Sequence, residues 1–357
     1  MSGSPIYELL ERSLERFTDR RLLICGDILD EQLLKLTRYT KSATVLVDNY
    51  ITAQAMAALL GQTLDSSCEQ NINYKHINIC YAPLESAKLE KFDTLLLILG
   101  KNKQLTLKLL SNLQAHLEPN SLIYIAGENA GGGKSAGSLL NPTGESFKLD
   151  LARKCTLFMA QYQQPFPEWQ QDEPISVGAC GFKFKLYQDP TVFSQGRLDE
   201  GTAMLLYAIR DANITHRALD LGCGCGIVGL CLKRLGHLEV TASDVSAQAL
   251  YLSSKNAELN DIEGINYQSA DMLKELDSFD LIAVNPPFHR GIATTTAPTI
   301  RMIQEAPAHL NQGGAMYLVA NSHLPYDKYL KEAFSSISIV KENPRYKVYK
   351  CLVYTSG

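Results

Sequence analysis

The chain has 357 residues, 45% hydrophobic and 20% charged, with a formal net charge of −4. That length suits two domains or three, each able to bury its own core, and the composition excludes long disorder. No apolar run reaches the ~20 residues of a bilayer helix, the segment Met1–Glu8 lacks the basic and apolar regions of a secretion signal, and an acidic balance counts against a partner held chiefly by its phosphates. A cytoplasmic protein with no membrane partner is expected. The nine cysteines are irregularly spaced and include no C-x-x-C pair. They fit neither a disulfide framework nor a zinc ribbon, so no metal is expected.

In chain order, Arg21–Asp27 reads as a strand ending in a turn at Gly26. Thr44–Asp48 reads as a second strand, Phe92–Gly100 as a third and Ser121–Glu128 as a fourth. The segment Gly127–Ser135 resembles a phosphate loop, but Glu128 stands where the leading glycine belongs, and its carboxylate would repel phosphate. A surface loop is expected there. Pro165–Pro174 is a loop by composition. Past a boundary set at 186/187, helical stretches Glu200–Arg210, Ile227–Leu235, Ser246–Leu259, Ile300–Leu310 and Tyr326–Phe334 alternate with strands. Those strands are Arg217–Leu221, Val240–Asp244, Ile265–Gln268, Phe279–Val284, Gly314–Val319 and Tyr346–Tyr354. This alternation predicts an α/β fold with mostly parallel sheets covered on both faces. The similar strand order and spacing in residues 1–186 and 187–357 predict two tandem Rossmann-like domains made by duplication. The second carries the glycine-rich turn; the first has only Gly26 at that place.

The turn is Asp220-Leu221-Gly222-Cys223-Gly224-Cys225-Gly226. A dinucleotide fingerprint needs a third glycine where Ile227 stands, and a phosphate loop needs a lysine that is missing. An acidic residue before G-x-G-x-G suits S-adenosylmethionine, which presents an amino-acid end and a sulfonium rather than a pyrophosphate. Asp220 can accept from the ammonium or from bound water. Bare backbone at Gly222, Gly224 and Gly226 leaves room for sulfur and sugar. Asp244 ends the next strand, about 20 residues on, where a carboxylate can take both ribose hydroxyls. Asp271 can accept from the adenine amino group, with Met272 against the ring. Cys223 and Val245 stand within the same turns and are counted with them. Helix capping is the bland alternative for Asp244 and Asp271, and Cys223 and Cys225 also read as small loop fillers.

Asn285-Pro286-Pro287-Phe288 follows the fourth strand of the second half, at the strand ends where open α/β sheets bind ligands. An exocyclic amine on a base, or an amide nitrogen, is a poor nucleophile because its lone pair is delocalised. The side-chain carbonyl of Asn285 and the backbone carbonyl of Pro286 can accept both N–H groups and localise that pair. Proline preorganises the two acceptors, and Phe288 can stack on a planar target.

These segments, with Val192–Thr202, Asp244-Val245-Ser246 and His289, resemble bacterial ribosomal RNA guanine-N2 methyltransferases of the small-subunit methyltransferase C family. Lys101-Asn102-Lys103, Gly127-Glu128-Asn129 and Arg345–Tyr349 extend the resemblance over most of the chain. It implies two class I methyltransferase domains with seven-stranded sheets. The C-terminal copy would bind S-adenosylmethionine, and the degenerate N-terminal copy would assist folding and RNA binding. It implies methyl transfer to the exocyclic N2 of one guanine in 16S rRNA, with Phe193 and Ser194 lining the cofactor's entry side. Asp199 and Thr202 read equally as caps of the helix starting near Glu200. Arg290 departs from the family's pattern, which is acidic there.

Cations cluster locally despite the net charge. Lys101 and Lys103 lie at the strand ends of the first half, Lys183 and Lys185 near the boundary, and Arg345, Lys347 and Lys350 on the last strand. Lys101, Lys103, Arg290, Arg345 and Lys347 are therefore candidate RNA contacts. The expected partner is the small ribosomal subunit and the expected state a monomer. The same motifs also fit a large-subunit guanine-N2 enzyme, an adenine-N6 or glutamine-N5 methyltransferase, or a non-catalytic RNA-binding assembly factor.

Overall fold

A computed structural model describes residues 4–27, 29–192, 196–286 and 296–353. The chain forms two compact units, Met1–Asp65 with Glu69–Gln171, and Ser66–Cys68 with Asp172–Gly357.

The first unit comprises α1 (Pro5–Glu11), β1 (Arg21–Gly26), β2 (Ser42–Val47), α2 (Tyr50–Leu59), β3 (Gln70–Tyr74), β4 (Ile77–Tyr81), β5 (Phe92–Leu99), α3 (Lys103–Leu113), β6 (Leu117–Glu128), β7 (Ser146–Ala152) and β8 (Cys155–Gln161). They build one sheet of order β3-β4-β2-β1-β5-β6-β8-β7. Strands β4, β2, β1, β5 and β6 run parallel, and β3 and the β7–β8 pair join antiparallel. Leu23, Cys25, Leu95, Leu97, Ile123 and Ile125 pack with Leu109, Leu110 and Leu113 of α3. The intervening Leu22, Ile24, Leu96 and Ile98 are buried as well. Such two-sided burial is why these strands read as continuous apolar runs.

The second unit adds β9 (Ile175–Ala179), β10 (Phe182–Leu186), α4 (Glu200–Arg210), β11 (Arg217–Leu221), α5 (Ile227–Leu235), β12 (Glu239–Asp244), α6 (Ala247–Leu259), β13 (Ile265–Ser269), β14 (Phe279–Val284), α7 (Ala297–Glu305), β15 (Leu310–Asn321), α8 (Tyr326–Ala333), β16 (Ser336–Glu342) and β17 (Tyr346–Leu352). Its main sheet has the order β13-β12-β11-β14-β15-β17-β16, and β9 and β10 form a separate hairpin. Ala218, Val240, Leu281, Ala283 and Val319 face α4 and α5. Their neighbours Leu219, Leu221, Ile282, Val284 and Leu318 face Met302, Ile303, Tyr326 and Leu330 of α7 and α8. This alternation is the period of a strand. Each fully buried Leu or Ile stabilises the fold by about 1.5–3 kcal/mol relative to exposure. Asn49, Asn102, Asp199 and Ser246 each accept a backbone N–H at the start of α2, α3, α4 and α6, which fixes where those helices begin.

Without β3 the two main sheets share one strand order, as duplication requires. Three expectations change. The first sheet has eight strands because β3 pairs antiparallel outside β4, adding to the seven expected. The units divide after Gln171 rather than at 186/187. The physical reason is the β9–β10 hairpin, whose Val177, Ala179, Phe184 and Leu186 are buried with α4 and α5. Finally, the glycine-rich stretch after β6 is not a loose surface loop. It coils into short 3-10 turns at Asn129–Gly131 and Gly133–Leu139, burying Gly133, Ala136 and Gly137. A Cβ on Gly133 would lie 2.2 Å from the carbonyl oxygen of Gly127.

Candidate active site

A cavity of about 700 Å3 opens at the carboxyl ends of β11, β12, β14 and β15. The turn after β11 forms one wall. Gly222 and Cys223 donate their N–H groups to the carbonyl of Ser243 at 2.8 and 2.9 Å, clamping the turn to β12. Gly222 has φ +73°, and a Cβ there would meet nothing within 4 Å, so this glycine leaves open space. Gly224 has φ +52° and donates to Asp244 Oδ2 at 3.1 Å. Gly226 differs. A Cβ there would lie 2.2 Å from Ser253 Oγ, so it serves close packing of α5 against α6. It is not among the residues lining the cavity, against the expectation that all three glycines would face a ligand.

Asp220 lines the cavity and is only 3% exposed. Its Oδ2 accepts from Gly229 N at 2.8 Å. Burial, reinforced by the charge of Asp244, pushes its pKa up to about 7, against a smaller lowering by the Gly229 hydrogen bond. A buried carboxyl poised in this way gains from a nearby cation. Asp244 accepts from Ser246 N through Oδ1 at 3.0 Å. The cap of α6 is Ser246, whose Oγ accepts from Ala249 N, so Asp244 is not that helix's cap. Val245, Cys223 and Met272 also line the cavity, with Met272 at φ +55°. Asp271 does not; its Oδ2 instead accepts from Arg301 Nη2 at 2.8 Å. Burial raises the Cys223 and Cys225 thiols, which keeps them protonated and fits a filling role.

Asn285 and Pro286, just past the end of the neighbouring strand β14, also line the cavity. Asn285 Nδ2 donates to Thr202 Oγ1 at 2.8 Å and to Asp199 Oδ2 at 3.2 Å. Its Oδ1 is buried and has no partner among the described residues. The Oγ of Ser243, another lining residue, is likewise buried without a partner among them. Buried polar groups left without partners in this way cost stability unless something else satisfies them. Together with the open glycine face, the buried carboxyl of Asp220 and the half-buried carboxylate of Asp244, they fit a ligand with an amino-acid end and a nucleoside.

The sequence reading did not name Leu198, Asn321 or His323 as lining residues. Asn321 and His323 could have been found from their place at the carboxyl end of β15. Tyr346 also lines the cavity and lies inside the Arg345–Tyr349 segment, which the sequence marks for the resemblance and for its cations but not as a cavity wall. Arg345 is exposed and pairs with Glu200 at 3.4 Å, while Lys347 is partly buried on β17. Lys101 and Lys103 are exposed at the start of α3 in the first unit. Phe193, Ser194, Phe288 and Arg290 lie outside the described residues.

The family described as Methyltransferase small domain matches residues 183–350, and Methyltransferase small domain N-terminal matches residues 7–176. Ribosomal RNA small subunit methyltransferase C of Psychromonas ingrahamii is 31% identical over 354 residues, covering 97% of this chain and 96% of its own length. Its namesake in Aeromonas hydrophila is 32% identical over 352 residues, with 97% of both chains covered. Among solved structures, the Thermus thermophilus 16S rRNA N2 G1207 methyltransferase in complex with AdoMet and guanosine superposes with a TM-score of 0.81. It is 22% identical, over 98% of this chain and 92% of that one, and shares the fold.

Proposed function

The chain belongs to the ribosomal RNA small subunit methyltransferase C family, and from that premise we propose its specific reaction. It methylates the exocyclic N2 of one guanine in 16S rRNA, using S-adenosylmethionine. Bound in the cavity, the cofactor supplies a methyl group whose bonding pair stays on the neutralised sulfur when the amine nitrogen attacks. The open face at Gly222 and Gly224 receives the sulfonium end, Asp220 holds the ammonium, and Asp244 takes the ribose hydroxyls. Met272 and Val245 border the base.

One observation carries the substrate class: the buried Oδ1 of Asn285 has no partner among the described residues. An acceptor held at the cavity wall suits an N–H donor, and with the Pro286 carbonyl it can engage both hydrogens of an amino group. That draws the nitrogen lone pair toward the methyl carbon. The nitrogen then sheds a proton to solvent, and no strong base is required. Phe288, next in the motif, is assigned to stack on the base, which must leave its helix to enter.

The first unit supports folding and contacts RNA through Lys101 and Lys103, and Arg345 and Lys347 contribute from the second. The protein works as a cytoplasmic monomer on the small subunit. Ribosomal subunits from a strain lacking the enzyme, incubated with labelled cofactor, test the assignment. Label confined to one 16S guanine at N2 is expected. Label in 23S rRNA, in adenine or in protein, or none at all, overturns it. Light scattering checks the monomer.

A further inference from the structure

We infer that Asp199 and Thr202 are positioning residues that fix which way the Asn285 amide points. An asparagine amide presents a donor on one side and an acceptor on the other, and either can face a given neighbour. The acceptor role of Asn285 in the proposed transfer therefore depends on suppressing one of two orientations.

The local hydrogen bonds do this without ambiguity. Asp199 Oδ2 accepts from Thr202 N at 3.0 Å, from Thr202 Oγ1 at 3.4 Å and from Asn285 Nδ2 at 3.2 Å. An ionised carboxylate only accepts, so the amide atom facing it must be the NH2 group. The Thr202 hydroxyl spends its single hydrogen on Asp199 and so turns a lone pair toward Asn285 Nδ2, 2.8 Å away. Both contacts demand the same orientation, which turns Oδ1 away from Asp199 and Thr202 and leaves it buried with no partner among the described residues. Donating toward a carboxylate also polarises the amide and strengthens Oδ1 as an acceptor. Asp199 thus does more than cap α4: the cap residue and the residue three positions later set the orientation of a side chain on another strand.

This inference rests on Asn285 acting as the acceptor, so the test separates the two. Full-length Asp199→Asn, Thr202→Val, Thr202→Ser and Asn285→Ala are compared with the wild type for methyl transfer, cofactor affinity and thermal stability. Asparagine caps a helix as well as aspartate, but its own NH2 can pair with Oδ1 of Asn285 in the wrong orientation. Asp199→Asn is expected to lower kcat about 10- to 100-fold, by analogy with misplaced catalytic groups. The cofactor Kd and melting temperature stay near those of the wild type. Thr202→Val loses rate in the same manner. Thr202→Ser keeps the hydroxyl and stays within about threefold of the wild type. If Asn285→Ala abolishes transfer while Asp199→Asn and Thr202→Val turn over normally, the positioning role is wrong and the acceptor role stands. If Asn285→Ala itself turns over normally, the acceptor role is wrong. If Asp199→Asn loses stability and cofactor affinity in proportion to rate, Asp199 is a structural cap only.

Discussion

The two units share a strand order, yet their strand ends differ in what they leave open. After β11, Gly222 faces open space, and after β14 the Oδ1 of Asn285 waits without a partner among the described residues. At the matching place after β1, a Cβ on Gly26 would lie 2.1 Å from the carbonyl oxygen of Ile98. After β5, Gly100 sits so close to Asp27 that a Cβ would fall 1.8 Å from Asp27 Oδ2. Asp27 accepts from the backbone N–H groups of Lys101 and Asn102, just past the end of β5. One carboxylate and one packed glycine fill that space. A duplicated scaffold keeps its sheet because the core maintains it, while ligand binding depends on a few residues at the strand ends.

The largest expected effect comes from removing what the second unit leaves open. Asn285→Ala should lower methyl transfer by about 100-fold or more, the scale of losing one preorganised polar group at a reacting centre. Cofactor affinity, measured by calorimetry, should stay unchanged, because in the proposed reaction the Asn285 carbonyl engages the amine. Turnover within a few-fold of the wild type would refute the role.

Next comes Asp220, the buried carboxyl that the first unit lacks. Its pKa is raised from an ordinary 3.8 to about 7 in the folded state. Between those values the unfolded chain holds the carboxylate ionised while the folded chain keeps it protonated. The stability of the cofactor-free protein therefore falls as pH rises from about 4 to about 7, and levels off above. Asp220→Asn removes that penalty. Its melting temperature should exceed the wild type's most at pH 8 and match it near pH 4, while cofactor affinity drops. Equal differences at both pH values would break the assignment.

Asp27→Ala tests the other side of the comparison. It deprives the N–H groups of Lys101 and Asn102 of their acceptor, which should cost about 0.5–1.5 kcal/mol of stability in denaturant unfolding, because water can reach this exposed turn. Methyl transfer by the folded protein at saturating RNA should hold within about twofold, since in the proposed reaction the first unit contacts RNA and not the reacting atoms. Gain of a second cofactor per chain would show that Asp27 alone silences the copy.

The legibility of the two halves follows the same physics. Strands β11 and β14 and helices α4 and α5 were read to the residue, because buried parallel strands are uninterrupted apolar runs and helix starts carry capping residues. The partly exposed edge strands β3, β7 and β16 escaped, because their apolar positions are few and set among polar and charged residues. The expected boundary at 186/187 places the hairpin β9–β10 in the first unit, whereas the units divide after Gln171, within the loop-like Pro165–Pro174 stretch; the short hairpin carries no signal of which core it joins. At the site, Asp220, Gly222 and Asn285, singled out by residue type and spacing, all line the cavity. The hydrogen bond from Asn285 to Asp199 spans 86 residues, and no local pattern encodes it; the cap signal at Asp199 was visible, its second role was not.

The smallest expected effect concerns Asp271, where sequence and structure part. The sequence places it on the adenine, whereas in the structure it pairs with the half-exposed Arg301 and is not part of the cavity wall. A pair this exposed contributes about 0–1 kcal/mol, so Asp271→Ala should barely move the melting temperature. Cofactor affinity should change less than about threefold if the ion pair persists when the cavity fills, since a contact never made costs nothing to remove. A tenfold loss would mean that Asp271 exchanges Arg301 for the adenine on binding. In that case Arg301→Ala, which frees the carboxylate beforehand, should tighten the cofactor rather than weaken it.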